Sequence, residues 1–137
     1  MDTLTRIEVG SVIGAWQLES FTSTDVHGAI AHPLGTDVQG MLIYTSDGHV
    51  SAQLAGQDGY IGYAGTYQWL GDSVIHRSMV GSPTEFSGAE LPRTARLELG
   101  RLSLATLPAD GYPVLTATWQ RATPAPVLPG AGNGDRR

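Results

Sequence analysis

The 137 residues include eight arginines but no lysine and no cysteine, together with 18 glycines and 8 prolines, and the formal charge is −5. One domain of this length buries a core without disulfides or a structural metal, and the missing residue types exclude thiolate nucleophiles, Cys-ligated zinc and lysine Schiff bases. The acidic balance opposes nucleic-acid binding, and with no run near about 18 apolar residues and no basic leader ahead of Asp2 and Glu8, no membrane partner is expected and the location is read as cytoplasmic.

Apolar residues recur with a period of two between glycine-containing turns, the pattern of an all-β chain. Residues 1–10 read as an N-terminal strap, with 4–13 able to form one helical turn. Residues 14–24 form the first strand, ended by Asp25-Val26-His27-Gly28. Strands 40–45 and 49–54 flank the three-residue loop Ser46-Asp47-Gly48, which sets Tyr44 opposite Val50 and Leu42 opposite Ala52 on an apolar face. Strands 60–70 and 73–80 flank Gly71-Asp72, where glycine in the first central position suits a type II′ turn. Counting outward sets Trp69 opposite Val74, Tyr67 opposite His76 and Gly65 opposite Ser78. Strands 93–99 and 102–106 flank Gly100-Arg101, pairing Leu99 with Leu102 and Leu97 with Leu104 on the inner side, with Arg96, Glu98 and Ser103 outside. Residues 112–121 form the last strand, and the Pro/Gly-rich residues 123–137 read as a disordered tail.

Eight strands in successive hairpins over residues 11–122 predict a closed antiparallel up-and-down barrel with little helix. An open meander would leave two edges as aggregation templates, and a barrel of this size holds side chains or one small ligand. A β-sandwich is the alternative.

The pattern resembles a small bacterial lipocalin-like domain. The residues that carry the likeness are Gly14-Ala15-Trp16 at the start of the first strand, the hairpin from His32 to Leu54, Gly65-Thr66-Tyr67 with Val74-Ile75-His76, and Arg121 closing the last strand. The resemblance implies a calycin-type barrel in which Trp16 and Arg121 stack across the closed end. It also implies a candidate activity, because domains of this kind include pericyclases that act late in polyketide and polyether assembly.

His27, His32, His49 and His76 show neither His-x-His nor His-x-x-x-His spacing, so no metal and no cofactor are expected. A Gly-x-Ser-x-Gly elbow is absent, and Glu85 and Glu90 read as solvated loop acids near a barrel mouth. The best constellation is Tyr67 and His76 as catalytic residues, with Tyr44, Tyr63, Trp69, Leu42, Leu97 and Leu104 binding substrate. A Tyr67–His76 hydrogen bond is predicted, as either a satisfied internal pair or part of a pocket wall that polarises a ligand carbonyl. Two functions remain open. One is a cofactor-independent cyclase or isomerase that folds a linear hydrophobic polyketide-type substrate for ring formation, since near-attack geometry alone is worth about 7 to 11 kcal/mol. The other is a noncatalytic carrier or sensor of a hydrophobic small molecule. Low charge and exposed strand edges are compatible with a homodimer.

Overall fold

The computed structural model describes residues 6–130, so residues 1–5 of the expected strap and 131–137 of the expected tail lie outside the described residues. Nine strands are present among the described residues: β1 (Gly14–Thr24), β2 (Ile30–Ala31), β3 (Val38–Tyr44), β4 (His49–Gly56), β5 (Gly59–Trp69), β6 (Ser73–Ser82), β7 (Glu90–Glu98), β8 (Arg101–Thr106) and β9 (Val114–Arg121). All pairings are antiparallel; β1 lies between β2 and β3, the strands from β3 to β9 pair in chain order, and β1 also pairs with β9. That contact closes eight long strands into a barrel. The two-residue β2 adds only Ser23↔Ala31 and Thr24↔Ile30 beside the end of β1, and is too short to show a period in the sequence. The only helical elements among the described residues are 3₁₀ turns at Val9–Ser11 and Thr84–Phe86. None is long and apolar enough to cross a membrane.

The β3–β4 and β5–β6 registers are those the turns predict: Tyr44 faces Val50, Leu42 faces Ala52, Trp69 faces Val74, Tyr67 faces His76 and Gly65 faces Ser78. A bulge beyond Gly65 then resets the ladder so that Ala64 faces Val80. The β7–β8 hairpin departs from expectation. Its loop is Leu99-Gly100 rather than Gly100-Arg101, so Leu97 faces Leu102 and Ala95 faces Leu104. The neighbouring ladder sets Leu102 opposite Trp119. Moving the turn by one residue shifts the pairing by two, which preserves the inside–outside parity of Leu97, Leu102 and Leu104. Leu99 is the exception. Expected inside, it is 96 % exposed, with a left-handed φ of 53°.

One end of the barrel is sealed. The Arg121 guanidinium lies 4.1 Å over the Trp16 ring, as the resemblance implied, and its Nη1 donates to the Ile13 carbonyl at 2.8 Å. Gly14 has φ +116°, and a Cβ there would sit 2.9 Å from Arg121 Nη1, so a glycine two residues before the tryptophan is what lets the arginine close. The incoming segment crosses the same end. Trp16 Nε1 donates to Val12 O, Trp69 Nε1 donates to Ile7 O, and the Ile7 amide donates to Gly71 O. Ile7 and Val12 are buried against the core.

The Leu99-Gly100 loop holds two successive residues at positive φ, 53° and 79°, a type I′ requirement that Asn-Gly meets at a cost about 1 kcal/mol lower, because the short asparagine side chain hydrogen-bonds locally in the left-handed region. Because Leu99 buries almost nothing, Leu99→Asn is expected to raise unfolding stability by about 1 kcal/mol in urea titrations. Unchanged or lower stability would show that this hairpin is not under backbone strain.

Candidate functional site

Beyond the sealed end, a cavity of about 60 Å³ is enclosed by inward positions of the barrel strands. Phe21, Leu54, Ile61, Leu104 and Leu115 give it an apolar wall. Tyr63, His76, Arg93, Thr106 and Trp119 are its polar members. Phe86, on the 3₁₀ turn after β6, stacks on Tyr63 at 5.8 Å and 5° and forms part of the rim. Ser78, buried on β6, holds that rim: its hydroxyl donates to the Phe86 carbonyl and accepts the Ala89 amide at 2.9 Å. Gly81 leaves room there, since a Cβ at this position would collide with the Phe86 backbone.

The inner polar group is a chain of three side chains. Tyr44 Oη lies 2.6 Å from His76 Nε2, and Tyr63 Oη lies 2.7 Å from His76 Nδ1. Each member is at least 93 % exposed-surface-free, with His76 and Tyr44 both at 1 % exposure and Tyr63 at 7 %. Burial, reinforced by the Arg93 charge, lowers the His76 pKa to about 3, while burial pushes the Tyr63 phenol up to about 12 and that of Tyr44 well above its ordinary value. At neutral pH all three are therefore uncharged. A neutral imidazole has one N–H and one lone pair, so one tyrosine donates to it and the other accepts from it.

The predicted Tyr67–His76 hydrogen bond does not form, although the two residues are paired across β5 and β6. Directly opposed side chains stand side by side, and a phenol hydroxyl extends well past the imidazole beside it. Tyr67 Oη instead donates to the Thr45 carbonyl at 2.8 Å, and its ring packs on Tyr44 at 4.7 Å. The longer reach needed for His76 comes from Tyr44 across the barrel and Tyr63 diagonally along β5. Trp69 and Tyr67 sit on the sealed side and do not line the cavity, and Tyr44 reaches it only through His76. Leu42, Leu104, Tyr63 and His76 do line it, whereas Leu97 packs half-buried against the core outside it. Glu90 pairs with Arg77 on the outer surface at 3.1 Å, and Glu85 is exposed.

Sequence reasoning did not single out Arg93, Phe86, Ser78 or Trp119. Arg93 was detectable: with Leu97 inward, alternation along β7 also turns Ala95 and Arg93 inward. Trp119 is 1 % exposed, and its Nε1 is a buried donor without a hydrogen-bond partner among the described residues. No group of three or more potential metal-ligating side chains occurs among the described residues.

A closed, eight-stranded antiparallel barrel with one sealed end and an apolar interior is a lipocalin-like fold. Residues 13–59 match the family model of the Lipocalin-like domain, a stretch that runs from the Gly-x-Trp strand through the β3–β4 hairpin. No curated protein matches the chain.

The depressed His76 pKa couples folding to pH. Below about 6.5 the unfolded imidazole binds a proton that the folded one refuses, so its contribution is complete above that pH and is lost as pH falls toward 3. Integrated from pH 7 to pH 5, the loss is about 2 kcal/mol. Urea titrations at the two pH values are expected to show this loss for the native chain and a shallower one for His76→Gln, which keeps a donor and an acceptor. Equal pH dependence in both chains would show that His76 titrates normally when folded.

Proposed function

We propose that the protein binds a linear hydrophobic small molecule in the barrel cavity and, without a cofactor, preorganises it for ring closure. The observation that carries this reading is the Tyr44–His76–Tyr63 chain, whose His76 and Tyr63 stand in the wall of a largely apolar cavity. Apolar walls are enough to carry a greasy molecule. A buried polar chain costs desolvation, and its use to a cyclase is a fixed hydrogen-bond donor beside the reacting segment.

The chemistry that fits is ring closure without net proton transfer. An imidazole with a pKa of about 3 is a poor general base at neutral pH and is not an acid there. A Tyr63 hydroxyl held by the imidazole can polarise a substrate carbonyl, lowering the barrier as charge develops, while the walls supply the near-attack conformer. The resting cavity of about 60 Å³ has room for a few water molecules or a short apolar segment. A longer chain therefore enters as Phe86 and its turn swing from the rim.

The test is a linear triene tethered to an unsaturated ketone, incubated with purified full chain and no additives. Accelerated formation of the bicyclic product is expected, with Tyr63→Phe slowing the bound-state rate by about 10²-fold while changing substrate affinity far less. Tight binding of the triene with no acceleration would instead make the protein a carrier or sensor.

A further inference from the structure

Counting protons along the buried chain gives the cavity a chemical polarity. Tyr44, His76 and Tyr63 together hold three exchangeable hydrogens when neutral, and their two hydrogen bonds use two. The third must point away from the imidazole, from either Tyr44 or Tyr63. Tyr44 is fully buried, its hydroxyl has no second partner among the described residues, and it does not line the cavity. A free hydrogen there would be an unsatisfied buried donor, which costs about 1 to 3 kcal/mol. Tyr63 does line the cavity. The lower-cost arrangement therefore has Tyr44 donating to Nε2, Nδ1–H donating to Tyr63 Oη, and the Tyr63 hydrogen free to enter the cavity.

Three other residues that line that space carry donors. Trp119 Nε1–H is buried without a partner. The Arg93 guanidinium has only the adjacent Pro92 carbonyl as hydrogen-bond partner and no carboxylate, among the described residues. Thr106 Oγ1 already accepts the Leu115 amide at 2.9 Å and keeps its own hydrogen. Neither a carboxylate nor a side-chain amide lines the cavity. A chain with a net charge of −5 thus places one arginine and several donors among the residues that line its cavity.

We infer that the ligand presents an anionic oxygen acceptor, a carboxylate or an enolate, to Tyr63, Trp119 and Arg93, with its hydrocarbon part against the apolar wall. This rests on the reading of the cavity as a ligand site, and it adds the headgroup that the ligand must carry. A charged acceptor satisfies donors that a hydrocarbon or an ammonium group would leave unpaired.

Calorimetric titration of the full chain with octanoate, an acidic cyclic 1,3-diketone of similar length that is an enolate at the titration pH, octan-1-ol and octylammonium separates the possibilities. At least one of the two anions is expected to bind about tenfold more tightly than octan-1-ol, and octylammonium more weakly than either; which anion wins identifies the headgroup. The Trp119 indole N–H resonance, assigned by its loss in Trp119→Phe, should move downfield with the preferred anion and not with the alcohol. Arg93→Gln should reduce affinity for that anion about tenfold and leave the alcohol unchanged. Equal affinity for anions and alcohol, with no indole shift, would overturn the inferred headgroup while leaving the cavity a hydrophobic site. Failure of all four to bind would overturn the cavity reading itself.

Discussion

A neutral imidazole fixed between two phenols governs how the interior of this barrel is built. Charging His76 would place an imidazolium among apolar side chains beside the Arg93 guanidinium, and both burial and that charge oppose it. The imidazole must therefore find one donor and one acceptor within reach. Tyr44 and Tyr63 supply them from opposite sides, at 2.6 and 2.7 Å. Their rings in turn organise the packing around them: Tyr44 meets Tyr67 and Trp69 edge-on toward the sealed end, and Tyr63 stacks on Phe86 toward the rim. The chain is thus the boundary between a packed half and an open half of the same barrel.

The two halves obey different constraints. On the sealed side every buried indole donor has a carbonyl: Trp16 bonds Val12 and Trp69 bonds Ile7. The same segment that supplies those carbonyls inserts Ile7 and Val12 into the core, so polar satisfaction and apolar burial act together to close that end. On the open side Trp119 lacks a partner and Arg93 lacks a counter-charge among the described residues. Unused polar capacity inside a protein is costly unless something enters to use it. Two tryptophans with acceptors and one without thus distinguish the packed end from the cavity that Trp119 helps to line.

Much of the architecture was legible because turn chemistry and a period of two both point to one register. Ser46-Asp47-Gly48 and Gly71-Asp72 fixed their hairpins correctly, and Gly14, Trp16 and Arg121 foretold the closure. Gly100-Arg101 misled because the turn takes positive φ at Leu99 as well as Gly100, a conformation that a leucine does not advertise. The candidate site was legible in composition and not in connectivity. His76, Tyr44 and Tyr63 were all selected, yet the hydrogen bond was given to Tyr67, because pairing across a ladder reports which backbones are adjacent and not how far a phenol reaches. Arg93 was hidden by the habit of reading arginine as surface, although its parity with Leu97 turned it inward. Phe86 and Ser78 depend on an irregular turn folding back over the rim, which no periodicity encodes.

Where the three protons of the Tyr44–His76–Tyr63 chain sit decides which hydroxyl has a hydrogen to offer the cavity, and nitrogen NMR of the His76 imidazole reads them directly. In the full chain with labelled histidine, the expected spectrum is a neutral ring with a protonated Nδ1 and an unprotonated Nε2, unchanged from about pH 7.5 down to about pH 4.5. That result leaves the free hydrogen on Tyr63, facing the cavity. A ring protonated at Nε2, or an imidazolium forming near the ordinary histidine pKa, would place that hydrogen or a charge elsewhere and contradict the account.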